Sequence, residues 1–477
     1  MKKLHKFANE YVVSLFPVFM LPMGMESGTR RLFNWPVKIP FIIENNAIQW
    51  LYEPTNWQIG HSRLVGRIKA NPKFLSQAFK QMVRLGQRQI KLGTHLLSKY
   101  RTARNAELFK YYSQFVQQNV ELYEYGLLLP LLDYQETTFL SDELHKILKR
   151  KGQDRHFNLL TTPGRETFVK QQEMNLLRLA QIRQPAVLAA QIKRHTKKFC
   201  WAYYVYEGPA VDEQYFFDAL RDLRQRKISP RNDLQRHAIN LRGIRQKQKN
   251  VLAKLKLTVY ERELVSLARD SVYYKAYRRE LQSHSYYLIE PLLAEIGRRL
   301  HLSLKQVRML LPPEIKKALT TGQLNLNEIQ NRQKLLFYDY NSRKGPICLS
   351  GQKARAFINK NVINEKLNLK VKEFVGTTAY PGKVKGKIRI INSPDQMHKM
   401  EKGNILVAIT TSPNLMPAIR MAKAIVTEEG GLTCHAAIVA RELRIPTVVG
   451  AGAVAHVLKD GYIVEVDANK GIVRKIK

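Results

Sequence analysis

Among the side chains of this sequence, His435 has the neighbours that chemistry would need. Residues 425–450 read IVTEEGGLTCHAAIVARELRIPTVVG. The apolar run Ala424, Ile425, Val426 suits a buried strand. Gly430 and Gly431 free the backbone to turn tightly at its end. Thr433 is placed to cap the helix that follows, its hydroxyl accepting from a first-turn N–H. His435 then falls in the first turn of a helix over 435–443. The unpaired N–H groups and partial positive charge there disfavour imidazolium, so a ring nitrogen keeps its lone pair. The same groups stabilise a phosphoryl group once one is attached. Ala436 and Ala437 leave room beside the ring. A lone histidine at a helix start ordinarily only packs. The Gly-Gly-x-Thr-x-His-Ala-Ala context marks this one as a nucleophile.

The elements that must hold it follow from periodicity. From residue 371 onward the pattern is α/β. Residues 383–391 (KVKGKIRII) alternate apolar and basic, as a half-buried strand does. Residues 405–409 and 447–449 are short apolar runs, 462–466 alternate again, and DANKG at 467–471 has turn chemistry before Ile472 and Val473 return. A second short helix is expected over 417–422. Before 371, helical spacing dominates. Residues 74–123 read as two long amphipathic helices, and 173–180, 215–225, 234–257 and 261–299 continue the pattern. Pro291 is expected to break or kink the last of these. Pro163, Pro185 and Pro312–Pro313 mark loops or helix starts. The expectation is a multidomain α + α/β chain: a mainly helical domain over 1–370, with a small β element near 36–55, and a compact domain over 371–477.

Residues 425–450 resemble the signature of the phosphohistidine swivelling, or mobile, domain of the phosphoenolpyruvate (PEP)-utilising enzymes. That family includes PEP synthase, pyruvate phosphate dikinase and the rifampicin phosphotransferases. GTTAYPGKVKG at 376–386 is similar to the family's opening strand, and 403–417, 460–461 and 467–473 are similar to its later segments. The resemblance implies a β/β/α swivelling domain with His435 as phosphoryl carrier. It implies that Thr433, Gly430 and Gly431 shape the turn, and that Arg441 orients or balances the phosphate. Two positions depart from the family pattern: Thr411-Ser412-Pro413-Asn414 lacks the usual acidic residue, and Tyr380 replaces a small one. Relatives also carry an ATP-grasp domain that phosphorylates the histidine, and synthases and dikinases a PEP-binding barrel. Neither is recognised here. The resemblance therefore implies a phosphotransferase component with a separate ATP-grasp type subunit. Mg²⁺ and ATP would arrive through that partner, with no metal site on this chain and a small-molecule acceptor that the residues do not name. Residues 160–180 and 293–319 are similar to the helical region preceding the histidine domain in synthase-like and rifampicin-phosphotransferase-like proteins. In the latter it holds the acceptor. On the residues alone, Arg165, Glu166 and Glu173 read as capping and solvating helices.

The balance of charge offers a competing reading. The chain has 477 residues with 79 Lys and Arg against 39 Asp and Glu, a net charge of +40. Apolar residues at 44% and charged residues at 25% exclude wholesale disorder and a polytopic membrane protein. So large an excess implies anionic company: nucleic acid, a membrane surface, phosphorylated ligands or an acidic subunit. It is spread along the chain, with 16 basic and 9 acidic residues over 371–477 and 63 and 30 before. Arg242, Arg245, Lys249 and Lys256 share one helix face at helical spacing. The alternative is thus a non-catalytic binding or regulatory protein whose basic helical domain contacts nucleic acid or another anionic partner. Cys200, Cys348 and Cys434 show no CxxC spacing, which argues against disulfide or zinc scaffolds and for a reducing, cytoplasmic setting. The apolar run at 12–23 is interrupted by prolines and too short to span a bilayer. It is expected to be a packed surface or interface segment. No HExxH-type metal spacing occurs.

Overall fold

The computed structural model describes residues 3–11, 14–44, 47–134, 137–225, 229–363, 371–411, 415–430 and 434–476. A large, mostly helical N-terminal part is followed by a C-terminal sheet domain. The helical part is organised around one helix of 42 residues, Val259–Leu300, about 63 Å long at 1.5 Å per residue. Thr258 and Glu261 form a capping box at its start. Phe74–Leu96 and Asn105–Gly126 pack on it. The first of these buries Leu75, Phe79, Met82 and Leu85, the stripe its spacing predicts. Pro291 does not break the long helix, which runs on through it. Its lost hydrogen bond is outweighed by tertiary packing: Leu288, Ile289, Leu292, Leu293 and Ile296 around it are all buried.

The apolar N-terminal run lies inside the main core, deeper than the surface or interface position expected of it. Leu15, Phe16, Val18, Phe19 and Met20 are at most 3% exposed. Phe16 lies between Phe115 and Tyr286, and the Tyr286 hydroxyl donates to the Pro17 carbonyl at 2.7 Å. Val12 and Val13 of that run are outside the described residues. Among the described helices, none is long and apolar enough to cross a membrane.

The β element near 36–55 is part of a larger sheet than expected. Phe41–Glu44 and Ala47–Tyr52 join His5–Tyr11, Leu335–Asn341 and Gly345–Ser350 in a five-stranded antiparallel sheet. Its ladder pairs Ile42 with Phe337, so residues about three hundred positions apart close it. The basic helix Pro230–Lys254 ends before Lys256, which sits beyond the helix end at positive φ. Arg242, Arg245 and Lys249 remain on it.

The C-terminal sheet has eight strands in the order Glu373–Val375, Ile472–Lys475, Ile463–Asp467, Lys383–Ile390, Ile405–Ala408, Ala424–Thr427, Thr447–Val449, Thr377–Tyr380. The four from Lys383–Ile390 to Thr447–Val449 run parallel. Ile405–Ala408, Ala424–Thr427 and Thr447–Val449 are buried on both faces, as interior parallel strands must be, while Lys383–Ile390 alternates with its lysines exposed. Ile405, Val407, Val426 and Val448 fill one layer, while Leu406, Ile425 and Val449 pack under the helices Met416–Met421 and His435–Leu443.

Candidate functional site

The strand Ala424–Thr427 delivers the chain to the site and is pinned at its end. The buried Glu428 carboxylate accepts from the backbone N–H groups of Ala455 and His456 at 2.7 and 2.9 Å and pairs with His456 Nδ1 at 2.8 Å. That bond raises the His456 pKa. The Thr427 hydroxyl donates to the Glu429 carbonyl at 2.8 Å. Gly430 follows at φ +116°, where a Cβ would also lie 2.8 Å from Cys434 Sγ, so both conformation and space demand glycine. Gly431 and Thr433 lie outside the described residues. The N-cap of His435–Leu443 is Cys434, whose Sγ accepts from the Ala437 N–H at 3.4 Å. The cap position expected of Thr433 is therefore filled by its neighbour, and His435 is the first helical residue.

His435 Nδ1 lies 2.9 Å from the buried Thr411 hydroxyl. With that nitrogen engaged, Nε2 is left for chemistry. The His435 pKa is pushed down to about 3, first by burial and then by the positive charge of Arg279, with Glu173 opposing. The imidazole is therefore neutral at physiological pH.

The ring faces a cavity of about 290 Å³ between the sheet domain and the helical part. Lys275, Arg278, Arg279, Glu280 and Gln282 of the long helix line one side, and Lys170 and Glu173 of the helix Phe168–Leu179 line another. Trp50 and Trp57 add an apolar wall. Burial lowers the Lys275 pKa and raises that of Glu280 to about 7, although backbone N–H groups of Phe168 and Val169 bond its carboxylate. The junction is held by Arg420, which meets Glu173 at 2.8 Å. Glu429 also holds it, accepting from the Asn9 backbone N–H and side-chain amide at 2.7 and 3.3 Å.

Arg441 does not line this cavity. Its Nε and Nη2 are buried without a hydrogen bond among the described residues, and burial lowers its pKa. The residues that the sequence reading missed are Thr411, Lys275, Arg278, Arg279, Glu280 and Gln282. The one available signal was a Lys-x-x-Arg-Arg-Glu run set between Val272 and Leu281 in an otherwise apolar stripe. Among the described residues, no group of three or more His, Cys, Asp or Glu could hold a metal.

Residues 400–471 match the family model described as PEP-utilising enzyme, mobile domain. This segment is a PEP-utilising mobile domain. Over 98 residues the chain is 53% identical to a probable PEP synthase of Archaeoglobus fulgidus, covering 20% of this chain and 13% of that protein. Over 111 residues it is 44% identical to a probable PEP synthase of Methanothermobacter thermautotrophicus, covering 23% and 16%. The chain thus spans about a seventh of the length of these curated relatives. Among solved structures, aconitase X of Thermococcus kodakaraensis aligns at 21% identity over 22% of this chain and 100% of that one. Its TM-score of 0.18 is too low to argue from.

Proposed function

We propose that the chain is a phosphotransferase component in which His435 carries a phosphoryl group from a donor on a separate ATP-grasp type chain to a small-molecule acceptor in the junction cavity. One observation carries this reading: a neutral histidine, held at Nδ1 by Thr411, faces a cation-lined cavity. In the first half-reaction the Nε2 lone pair attacks phosphorus, the N–P bond forms and the P–O bond to the nucleotide breaks. The Nδ1 proton then stays on Thr411's side of the ring. In the second, an acceptor hydroxyl attacks phosphorus and the N–P bond breaks, its electron pair returning to Nε2. The hydroxyl proton passes to Glu280, which near pH 7 exists in both forms. Arg279 and Lys275 offset the charge of the transferring group. Mg²⁺ would be held with the nucleotide on the donor chain. The free thiols of Cys200, Cys348 and Cys434 accord with a reducing, cytoplasmic setting.

The test is incubation with ATP labelled at the β or γ position, and with labelled PEP, with and without a candidate ATP-grasp chain. The expected product is acid-labile, base-stable label that His435→Ala abolishes. Absence of label under every condition would overturn the reading.

A second reading rests on the helix Pro230–Lys254. Gln248 is its one buried residue, and Arg231, Arg236, Arg242, Arg245, Lys247 and Lys249 are exposed. Such a face fits a nucleic-acid backbone. A gel shift with DNA or RNA that weakens steeply with salt would support it.

A further inference from the structure

Among the described residues, two buried polar groups at the junction cavity have an atom without a hydrogen-bond partner. Arg278 is 8% exposed, lines the cavity, and its Nη1 has no hydrogen-bond partner among the described residues. It makes no ion pair among the described residues. Gln282, one turn further along the same helix, is 3% exposed and also lines the cavity, and its Oε1 is likewise unpartnered. Buried donors, acceptors and charges are almost always satisfied, because an unmet one retains its full desolvation cost. One donor cation and one acceptor, four residues apart on one helix face, define the polar half of a ligand.

Arg278 and its neighbour Arg279 act on different groups. The Arg278 stem passes over Gly126, where a Cβ would lie 2.8 Å from Arg278 Cδ, and its charge acts on Tyr286 in the core. Arg279 is the cation whose charge acts on His435. One wall is apolar: Leu21, Met25, Ile39, Trp50 and Trp57 are all at most 6% exposed. The volume of about 290 Å³ equals that of roughly ten waters. A body about the size of a substituted benzene ring fits it.

We propose that the cavity binds a small hydroxy acid with an aromatic-sized apolar body. Its anionic group pairs with Arg278, its hydroxyl donates to Gln282, and its body lies on Trp50 and Trp57. This rests on the reading of the cavity as the acceptor site of His435 and specifies the acceptor's class. A charge-assisted bond to a buried guanidinium discriminates strongly against a neutral analogue.

The experiment uses calorimetry on the full chain with three probes: 3-phenyllactate, its neutral amide, and 3-phenylpropanoate, which lacks the hydroxyl. Phenyllactate is expected to bind at least about tenfold more tightly than the amide and about threefold or more above phenylpropanoate. Arg278→Met should erase the first preference and Gln282→Leu the second. Equal binding of acid and amide to the wild-type chain overturns the proposal without any variant having to fold. So does no binding of the acid at about 10 mM. Because the calorimetry uses no phosphoryl donor, failure here and failure of phosphoryl labelling are separate results.

Discussion

The contribution of His435 to docking of the C-terminal domain on the helical part should weaken in acid. Docking surrounds the imidazole with protein and sets the Arg279 charge near it, which pushes its pKa down to about 3. Once the domain swings away, the ring returns towards the ordinary value of about 6.5. The docked state then binds fewer protons than the undocked one. Docking strength from this group is therefore full above pH 6.5 and is lost as pH falls towards 3. Between pH 7.5 and 5.5 His435 by itself should lower the docked-to-undocked ratio about tenfold, or about 1.4 kcal/mol. Other groups facing the ring are Lys275, Glu173 and Cys434. Glu280, raised to about 7 by burial, acts in the opposite direction, since docking favours its protonated form. The wild-type response alone is therefore a sum. The diagnostic quantity is the difference from His435→Gln, which keeps a polar group beside Thr411 and does not titrate. Small-angle scattering across pH 7.5 to 5.5 gives the undocked share from the radius of gyration. The wild-type chain should open about tenfold more than His435→Gln over that range. An identical acid response in the two proteins would refute the argument.

Three further outcomes follow from the same geometry. Thr411→Val removes the Nδ1 partner seen at 2.9 Å and should slow labelling of His435 about tenfold, the worth of one positioning hydrogen bond; Thr411→Ser should restore most of it. Glu173→Gln breaks the 2.8 Å pair with Arg420 and should weaken docking by about 1 kcal/mol, read as about a fivefold larger undocked share in scattering. Gly28→Ala would set a Cβ 2.6 Å from Glu124 Cα on the facing helix and should cost about 1–3 kcal/mol in urea denaturation, whereas Gly66→Ala, in open space within the helix Pro54–Ala70, should stabilise by up to about 1 kcal/mol.

The C-terminal domain was readable because its signals are local. KVKGKIRII alternates within one strand, and Lys383–Ile390 is that strand. The helix expected over 435–443 is His435–Leu443. The cap was misplaced by one residue because threonine is the customary capping side chain and cysteine is not. The five-stranded sheet was mostly unreadable for a different reason. Leu335–Asn341 begins with four consecutive buried residues, so it carries no alternation, and its partner Phe41–Glu44 lies nearly three hundred residues upstream. Pro291 does not end its helix because its local penalty is overridden by packing that only the folded chain supplies. The acceptor side of the site was hidden most deeply. Lys275, Arg278 and Gln282 sit on a helix whose charges would ordinarily face water, and only the folded chain, bringing Gly126, Trp50 and the sheet domain around them, covers that face.

That distinction also divides the net charge of +40 into parts with different physics. Arg278 is buried and Lys275 half-buried at the junction cavity, where mobile ions screen less than at an exposed surface. The cations of Pro230–Lys254 are exposed, and their attraction for a polyanion comes from counterion release. Salt therefore separates the two readings of this protein. Raising salt from about 0.1 to 0.5 M should change 3-phenyllactate binding by no more than about threefold, because one shielded pair carries it. A nucleic acid held at about five phosphates should lose about a thousandfold over the same range. If the small acid were lost as steeply as the polyanion, the cations around it would be solvent-exposed. The cavity could then not be the interior site on which phosphoryl transfer from His435 depends.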